Sequence, residues 1–329
     1  MGNLKINRLL SGGIVTNYNC PSNCRHCLYR CGPHRSSDYL DYSTALSLFA
    51  TVRELGCNSV HIGGGEPLLR PRELGEVLQA ASEVGVGIDY VETNCAWFKD
   101  ADSALQILED LTGSGLRTLL VSISPFHNEK IPLSKIKGVI KATQKAGVNV
   151  IPWVDEFMQD MSGFDPQKTH SLEEYQSKFG EDYLLNILNR YWIHFGGRAL
   201  DTFRPWFPSK SAEEILSEDK KGCAQELLNT SHFHLDLYGN YIPGLCSGLA
   251  IDRQHLGYSL PEEEYPLLSR LYKQGIQGLY EFAGQELGFV PSEDGYMNKC
   301  DLCTDIRFHL VQNGSEMQFK ELAPRQFYL

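Results

Sequence analysis

The chain lacks any apolar run of about eighteen residues, so nothing in it reads as a membrane-spanning helix. Its first residues, Met1-Gly2-Asn3-Leu4-Lys5-Ile6-Asn7, lack the apolar centre of a signal peptide. Ile6 stands where a myristoylation signal needs Ser or Thr. Positive charge is scarce: 30 Lys and Arg against 41 Asp and Glu give a net charge of −11. A broad nucleic-acid surface would be basic, so neither nucleic acid nor membrane is expected as a partner. The expected location is cytoplasmic. Cysteine, by contrast, is plentiful. Ten cysteines in a reducing cytosol suit metal binding better than disulfides. With 329 residues, 42% of them hydrophobic, the chain can build one large or two ordinary domains.

Three of the cysteines, Cys20, Cys24 and Cys27, stand at CxxxCxxC spacing in Asn19-Cys20-Pro21-Ser22-Asn23-Cys24-Arg25-His26-Cys27. A cuboidal iron–sulfur cluster takes four thiolates, so three of them leave one iron open. An open coordination position marks a metal site that does chemistry. Zinc sites usually combine two CxxC or CxxH pairs, a pattern this stretch does not follow. Further on, Gly63-Gly64-Gly65-Glu66-Pro67 follows the strand-like run Val60-His61-Ile62. Glycines at a strand end let backbone approach a ligand closely.

These two stretches together resemble the radical S-adenosylmethionine (radical SAM) superfamily, over roughly residues 10–155. The resemblance implies a 4Fe-4S cluster on Cys20, Cys24 and Cys27 whose open iron binds SAM. It also implies that the Gly63, Gly64, Gly65, Glu66 stretch meets the methionyl amine. His26 falls where the family places an aromatic residue near adenine.

Apolar strand-like runs begin near residues 58, 88, 118 and 148, a spacing of about 30 residues that fits βαβ steps. An earlier run, Gly13-Ile14-Val15-Thr16, precedes the cysteine motif. Helical patterns fill the gaps, with Leu48, Phe49 and Val52, then Leu74, Leu78 and Ala81, then Leu105, Leu108 and Leu111, then Ile136, Val139 and Thr143. Alternation of this kind predicts a parallel sheet. The expected fold class is α/β, a partial (βα)6 TIM-like barrel over residues 1–210. A small C-terminal α+β domain with a hairpin, residues 211–329, would follow. A sixth strand is expected near Tyr191-Trp192-Ile193-His194, and Ser171-Leu172-Glu173-Glu174 predicts a capped helix start. Thr93, Asn94, Ser122 and Ser124 lie just past strand ends, where ligands gather in parallel α/β barrels. They are candidate SAM contacts, with turn capping as the alternative role.

Cys223, Cys246, Cys300 and Cys303 form a second constellation around a hairpin predicted from Phe233-His234-Leu235-Asp236-Leu237 and Tyr241-Ile242. Four thiols suit either zinc or a closed 4Fe-4S cluster, and spacing alone leaves both open. The region resembles the twitch half of the SPASM/twitch extensions, which implies a second, auxiliary 4Fe-4S cluster. The gap between Cys223 and Cys246 and the stretch from Gln254 to Asn298 are longer than that family's usual spacing. His232 and His234 are expected on the polar face of the hairpin.

The resemblance implies an enzyme, an oxidoreductase or maturase. It would cleave SAM reductively to a 5′-deoxyadenosyl radical and abstract hydrogen from a small-molecule or peptide/protein substrate. Oxidation or cross-linking would follow, with the auxiliary cluster as electron acceptor and flavodoxin or ferredoxin as electron donor. The start of the chain so near the first strand tips the expectation toward a small molecule or a short peptide or protein side chain. Cys95 is a candidate hydrogen-atom donor, which would suit an epimerase. Asp155 and His127 are candidate proton-transfer groups, and Glu129 is a further pocket candidate. A non-catalytic iron–sulfur or zinc scaffold is the alternative from another class.

Overall fold

The computed structural model describes residues 2–313 and 319–329. Contacts divide the chain into two compact units. One comprises Gly13–Arg25 and Arg30–Ile193; the other comprises residues up to Gly12, His26–Tyr29 and His194–Leu329.

In the first unit, strands and helices alternate. The elements are β1 (Gly12–Val15), α1 (Tyr42–Glu54), β2 (Ser59–Gly63), α2 (Pro71–Val84), β3 (Gly87–Thr93), α3 (Ala101–Ser114), β4 (Thr118–Ser122), α4 (Pro125–Asn128), α5 (Leu133–Ala146) and β5 (Asn149–Trp153). All four pairings, β1 with β2, β2 with β3, β3 with β4 and β4 with β5, are parallel. The five strands form an open parallel sheet, and the α/β class expected from the sequence holds. Three shorter helices follow: α6 (Phe157–Ser162), α7 (Leu172–Phe179) and α8 (Tyr183–Arg190).

The apolar positions explain the helices. Leu48, Phe49 and Val52 of α1, Leu74, Leu78 and Ala81 of α2, Leu108 and Leu111 of α3, and Ile136 and Val139 of α5 are all buried. Pro71 starts α2, and Gly147 ends α5 in the left-handed conformation its φ of 69° requires. Ser171 and Glu174 complete the expected capping box of α7. The sixth strand does not form: residues 191–194 are irregular. α8 ends at Arg190, just before that run, and Trp192 is 67% exposed, so the run does not bury the face that a core strand would.

The second unit carries α9 (Arg198–Phe203), α10 (Ala212–Glu218), α11 (Ala224–Leu228), β6 (Phe233–Asp236), β7 (Asn240–Ile242), β8 (Ile251–Asp252), α12 (Pro266–Leu287) and α13 (Lys299–Asn313). The predicted hairpin is β6 and β7, antiparallel with His234 opposite Ile242. Asp236 closes its turn by accepting from the backbone of Tyr238 and Asn240. All four residues of β6 are buried, so the hairpin lacks the solvent-facing polar side that its alternation suggested. His234 is buried and shares a 2.8 Å hydrogen bond with the Tyr29 hydroxyl. Buried Glu321 caps α12 by accepting from Leu267 and Leu268 N–H. Among the described residues, no helix is long and apolar enough to cross a membrane.

Candidate active site

The C-terminal ends of the parallel strands gather most of the residues that the sequence singled out. The loop after β1 is fastened to the glycine stretch after β2. Gly65 N–H donates to Asn17 O at 2.7 Å and Glu66 N–H to Asn19 O at 3.1 Å. Asn17 Nδ2 donates back to Glu66 O at 3.2 Å. A Cβ on Gly65 would stand 2.1 Å from Asn19 O, so only glycine permits this approach. Asn19 also pairs with Gly32, and Cys20 N–H donates to Gly32 O. The first cysteine therefore leaves a segment held on both sides. Cys20 and Cys24 are buried cysteines in no disulfide, while Cys27 and His26 are half-buried.

Glu66 is fully buried. Its carboxylate accepts from Leu68 N–H at 3.0 Å, Asn94 N–H at 2.7 Å and the Thr93 hydroxyl at 3.0 and 3.1 Å. Burial pushes its carboxyl up to about 7, against the pull of these donors. The side chain thus ties the β2 loop to the end of β3. What this stretch can offer a ligand is glycine backbone. Thr93 is similarly committed, since its hydroxyl also accepts from Cys95 N–H and Trp97 Nε1–H. Asn94 is placed differently: its side-chain amide donates to Cys20 Sγ at 3.3 Å.

Past β4, Ser124 caps α4 and lies 2.7 Å from His127 Nδ1. Burial holds the His127 ring well below its ordinary value, at about 4, so the ring is neutral near neutrality. Ser122 ends β4, half-buried. Cys95 is fully buried, and burial pushes its thiol well up. Asp155 is exposed in the turn after β5. Glu129 accepts from Arg25 at 2.9 Å, and Arg25 also pairs with Glu173 at 3.0 Å. The residue between Cys24 and His26 is therefore anchored to the body of its unit by two carboxylates.

One face of this sheet carries a carboxylate that no motif marks. In-register positions place Glu92, Leu120 and Ile151 in one row across β3, β4 and β5, with Ser122 beside Trp153 in the next. His61 stacks on Tyr90, ring centroids 5.2 Å apart at 9°. A polar residue alternating with apolar ones inside the run Val91-Glu92-Thr93 was the available signal.

In the second unit, Cys223 precedes α11, Cys246 follows the hairpin, and Cys300 and Cys303 share the first turn of α13. Charge on one sulfur of this set disfavours charge on the next. Burial and then the charge of Cys303 push Cys223 far up, while burial, Cys300 and Cys303 push Cys246 up to about 12. Thiolates that disfavour one another in this way are relieved by a bound cation.

Residues 14–154 match the family model described as the Radical SAM superfamily. No curated protein matches the chain. Among solved structures, the chain is similar to Streptococcus suis SuiB bound to S-adenosylmethionine, at 13% identity and TM-score 0.35, covering 73% of this chain and 61% of SuiB. It is also similar to native anSMEcpe with bound AdoMet, at 13% identity and TM-score 0.41, covering 92% of this chain and 97% of that one. A third, methylornithine synthase (PylB), is 18% identical with TM-score 0.33 over 44% of each chain. The matched segment, fewer than half of the residues of the chain, contains the CxxxCxxC loop, the glycine stretch, the end of β1 and β2 to β5.

Proposed function

We propose that the chain generates a radical from SAM and uses it to abstract hydrogen from a small-molecule or peptide/protein substrate, for oxidation or cross-linking. A 4Fe-4S cluster, when bound, supplies the electron that splits SAM into methionine and a 5′-deoxyadenosyl radical. Cys20, Cys24 and Cys27 would hold that cluster. One observation carries the reading: the Asn94 amide donates to Cys20 Sγ inside a loop already fastened to the Gly63–Gly65 stretch. A donor aimed at a sulfur favours the thiolate, the form that binds metal. Gly63, Gly64 and Gly65 offer backbone groups to SAM, with Ser122 at the neighbouring strand end. His127, held by Ser124, stays in place as the candidate proton-transfer group, although burial disfavours its imidazolium and makes it a weak base.

The second set, Cys223, Cys246, Cys300 and Cys303, would hold an auxiliary 4Fe-4S cluster that takes up the substrate electron. The mutual disfavouring of charge among its buried thiols suits a bound metal, and the resemblance to the twitch extensions favours iron–sulfur over zinc. Flavodoxin or ferredoxin would deliver the first electron. Cys95, as the hydrogen donor of an epimerase, would have to emerge from full burial, so oxidation is the better-supported outcome.

The test is anaerobic reconstitution followed by chemical reduction with SAM. The active protein should release 5′-deoxyadenosine, and Cys24→Ala should release none. Silence from the intact, reconstituted protein would leave the non-catalytic scaffold. Iron at about eight atoms per chain supports two cubanes, whereas about four irons with one zinc removes the auxiliary cluster.

A further inference from the structure

On one face of the parallel sheet sits a carboxyl that the reaction outlined above leaves without a task. Glu92 projects from β3 there, and among the described residues its carboxylate accepts no hydrogen bond. The basic group beside it, His61 Nε2, stands 3.9 Å away, beyond hydrogen-bond reach. Glu92 keeps 41% of its side-chain surface open, between the buried His61 side chain and the row that runs on to Leu120. Water reaches the oxygens while surrounding protein strips away most of their bulk solvation, and the carboxyl is pushed up to about 7.

Room for these two groups is made by glycine on the adjoining strands. A Cβ on Gly63 would stand 2.8 Å from Glu92 Oε2, and one on Gly13 would stand 2.2 Å from His61 Nε2. Tyr90 holds the His61 ring by stacking. Away from Glu92 the face turns apolar. Leu120 comes next, then Ile151 and Trp153, which are 41% and 42% exposed. Large apolar residues so open on β5, beside a donorless carboxylate on β3, describe a surface built in two halves. Two strand spacings separate the halves, about 10 Å.

We propose that this face binds the substrate by a cationic group, an ammonium or guanidinium on an apolar stem, with Glu92 as counter-ion and Ile151 and Trp153 as the bed of the stem. Calling the ligand a substrate rests on the radical SAM reading; the recognition chemistry does not. An anion would be repelled. A neutral donor would satisfy one lone pair, but a charge-assisted bond is roughly twice as strong, and the enclosed setting amplifies it. SAM carries an ammonium too, so the same chemistry has two sources. Glu92 lies one residue deeper in the strand than Thr93 and Asn94, which favours the substrate.

The experiment measures binding, not turnover, to the reconstituted full chain. The probes are N-acetyl-arginine amide, N-acetyl-lysine amide, the neutral isostere N-acetyl-citrulline amide, and SAM. The wild type should bind both cations at least about tenfold more tightly than citrulline amide. Glu92→Gln should erase that preference and keep SAM affinity, and Glu92→Asp should retain part of the preference. If thermal melts show Glu92→Gln unfolded, the isostere comparison in the wild type and the Asp variant decide. Equal binding of arginine and citrulline amides, no binding of either cation, or a Gln variant that loses SAM while keeping arginine amide would each overturn the proposal. A chain that prefers the cations yet releases no 5′-deoxyadenosine sinks only the catalytic reading.

Discussion

Glu66 and Glu92 are both pushed up to about 7, for reasons that look alike and consequences that differ. Glu66, at the rim of the sheet, is sealed and takes hydrogen bonds from three groups. Glu92, on the floor below it, is open and takes none. The first is a structural rivet whose burial is offset by its donors. The second is an open carboxyl without a hydrogen-bond donor, whose nearest basic group, His61, stands 3.9 Å away. The same displacement therefore marks a finished bond network in one place and an unfinished one in the other.

Removing each group should separate the two. Glu66→Ala leaves the buried N–H groups of Leu68 and Asn94 without acceptors and should cost about 4 kcal/mol in denaturant melts. A loss under about 1 kcal/mol would mean that the rim is not riveted there. Gly65→Ala forces a methyl against the Asn19 carbonyl and should cost about 2 to 3 kcal/mol, with reduced iron incorporation on reconstitution. Glu92→Gln should go the other way. A carboxyl raised from 4.5 to about 7 contributes stability that is fully present below pH 4.5 and lost as pH rises through 7. The Gln variant should therefore match the wild type in melts below that window and exceed it above pH 7. Because Glu92 is substantially open, the gain should be about 1 kcal/mol or less. Identical profiles would place Glu92 in ordinary solvent. Smallest of all, Arg25→Ala removes an ion pair with one exposed and one half-buried partner and should cost no more than about 1 kcal/mol in the same melts.

What the sequence made legible was the periodic part and the thiols. Spacing of apolar residues located five strands and the helices between them, because burial of one face is a local, repeating demand. The capping box at Ser171 and the hairpin at Phe233 were readable for the same reason. The sixth strand failed because four mostly apolar residues are too short a run to fix a period, and Trp192 in their middle faces solvent. At the site, the residue types were visible but their partners were not. Thr93 and Glu66 look like ligand contacts in sequence and turn out to be bonded to each other across a separation of 27 residues. Glu92 went unnoticed because its importance lies in what does not surround it, and a missing donor leaves no motif.

The sealing of Cys95 has a practical consequence. A thiol attacks an alkylating agent only as thiolate and only when reached, and Cys95 is denied both conditions. Under iodoacetamide in air it should be among the last cysteines to be modified. Its labelling would then report opening of the unit itself, a built-in gauge of whether handling outside the glovebox has loosened the protein or merely stripped its metal.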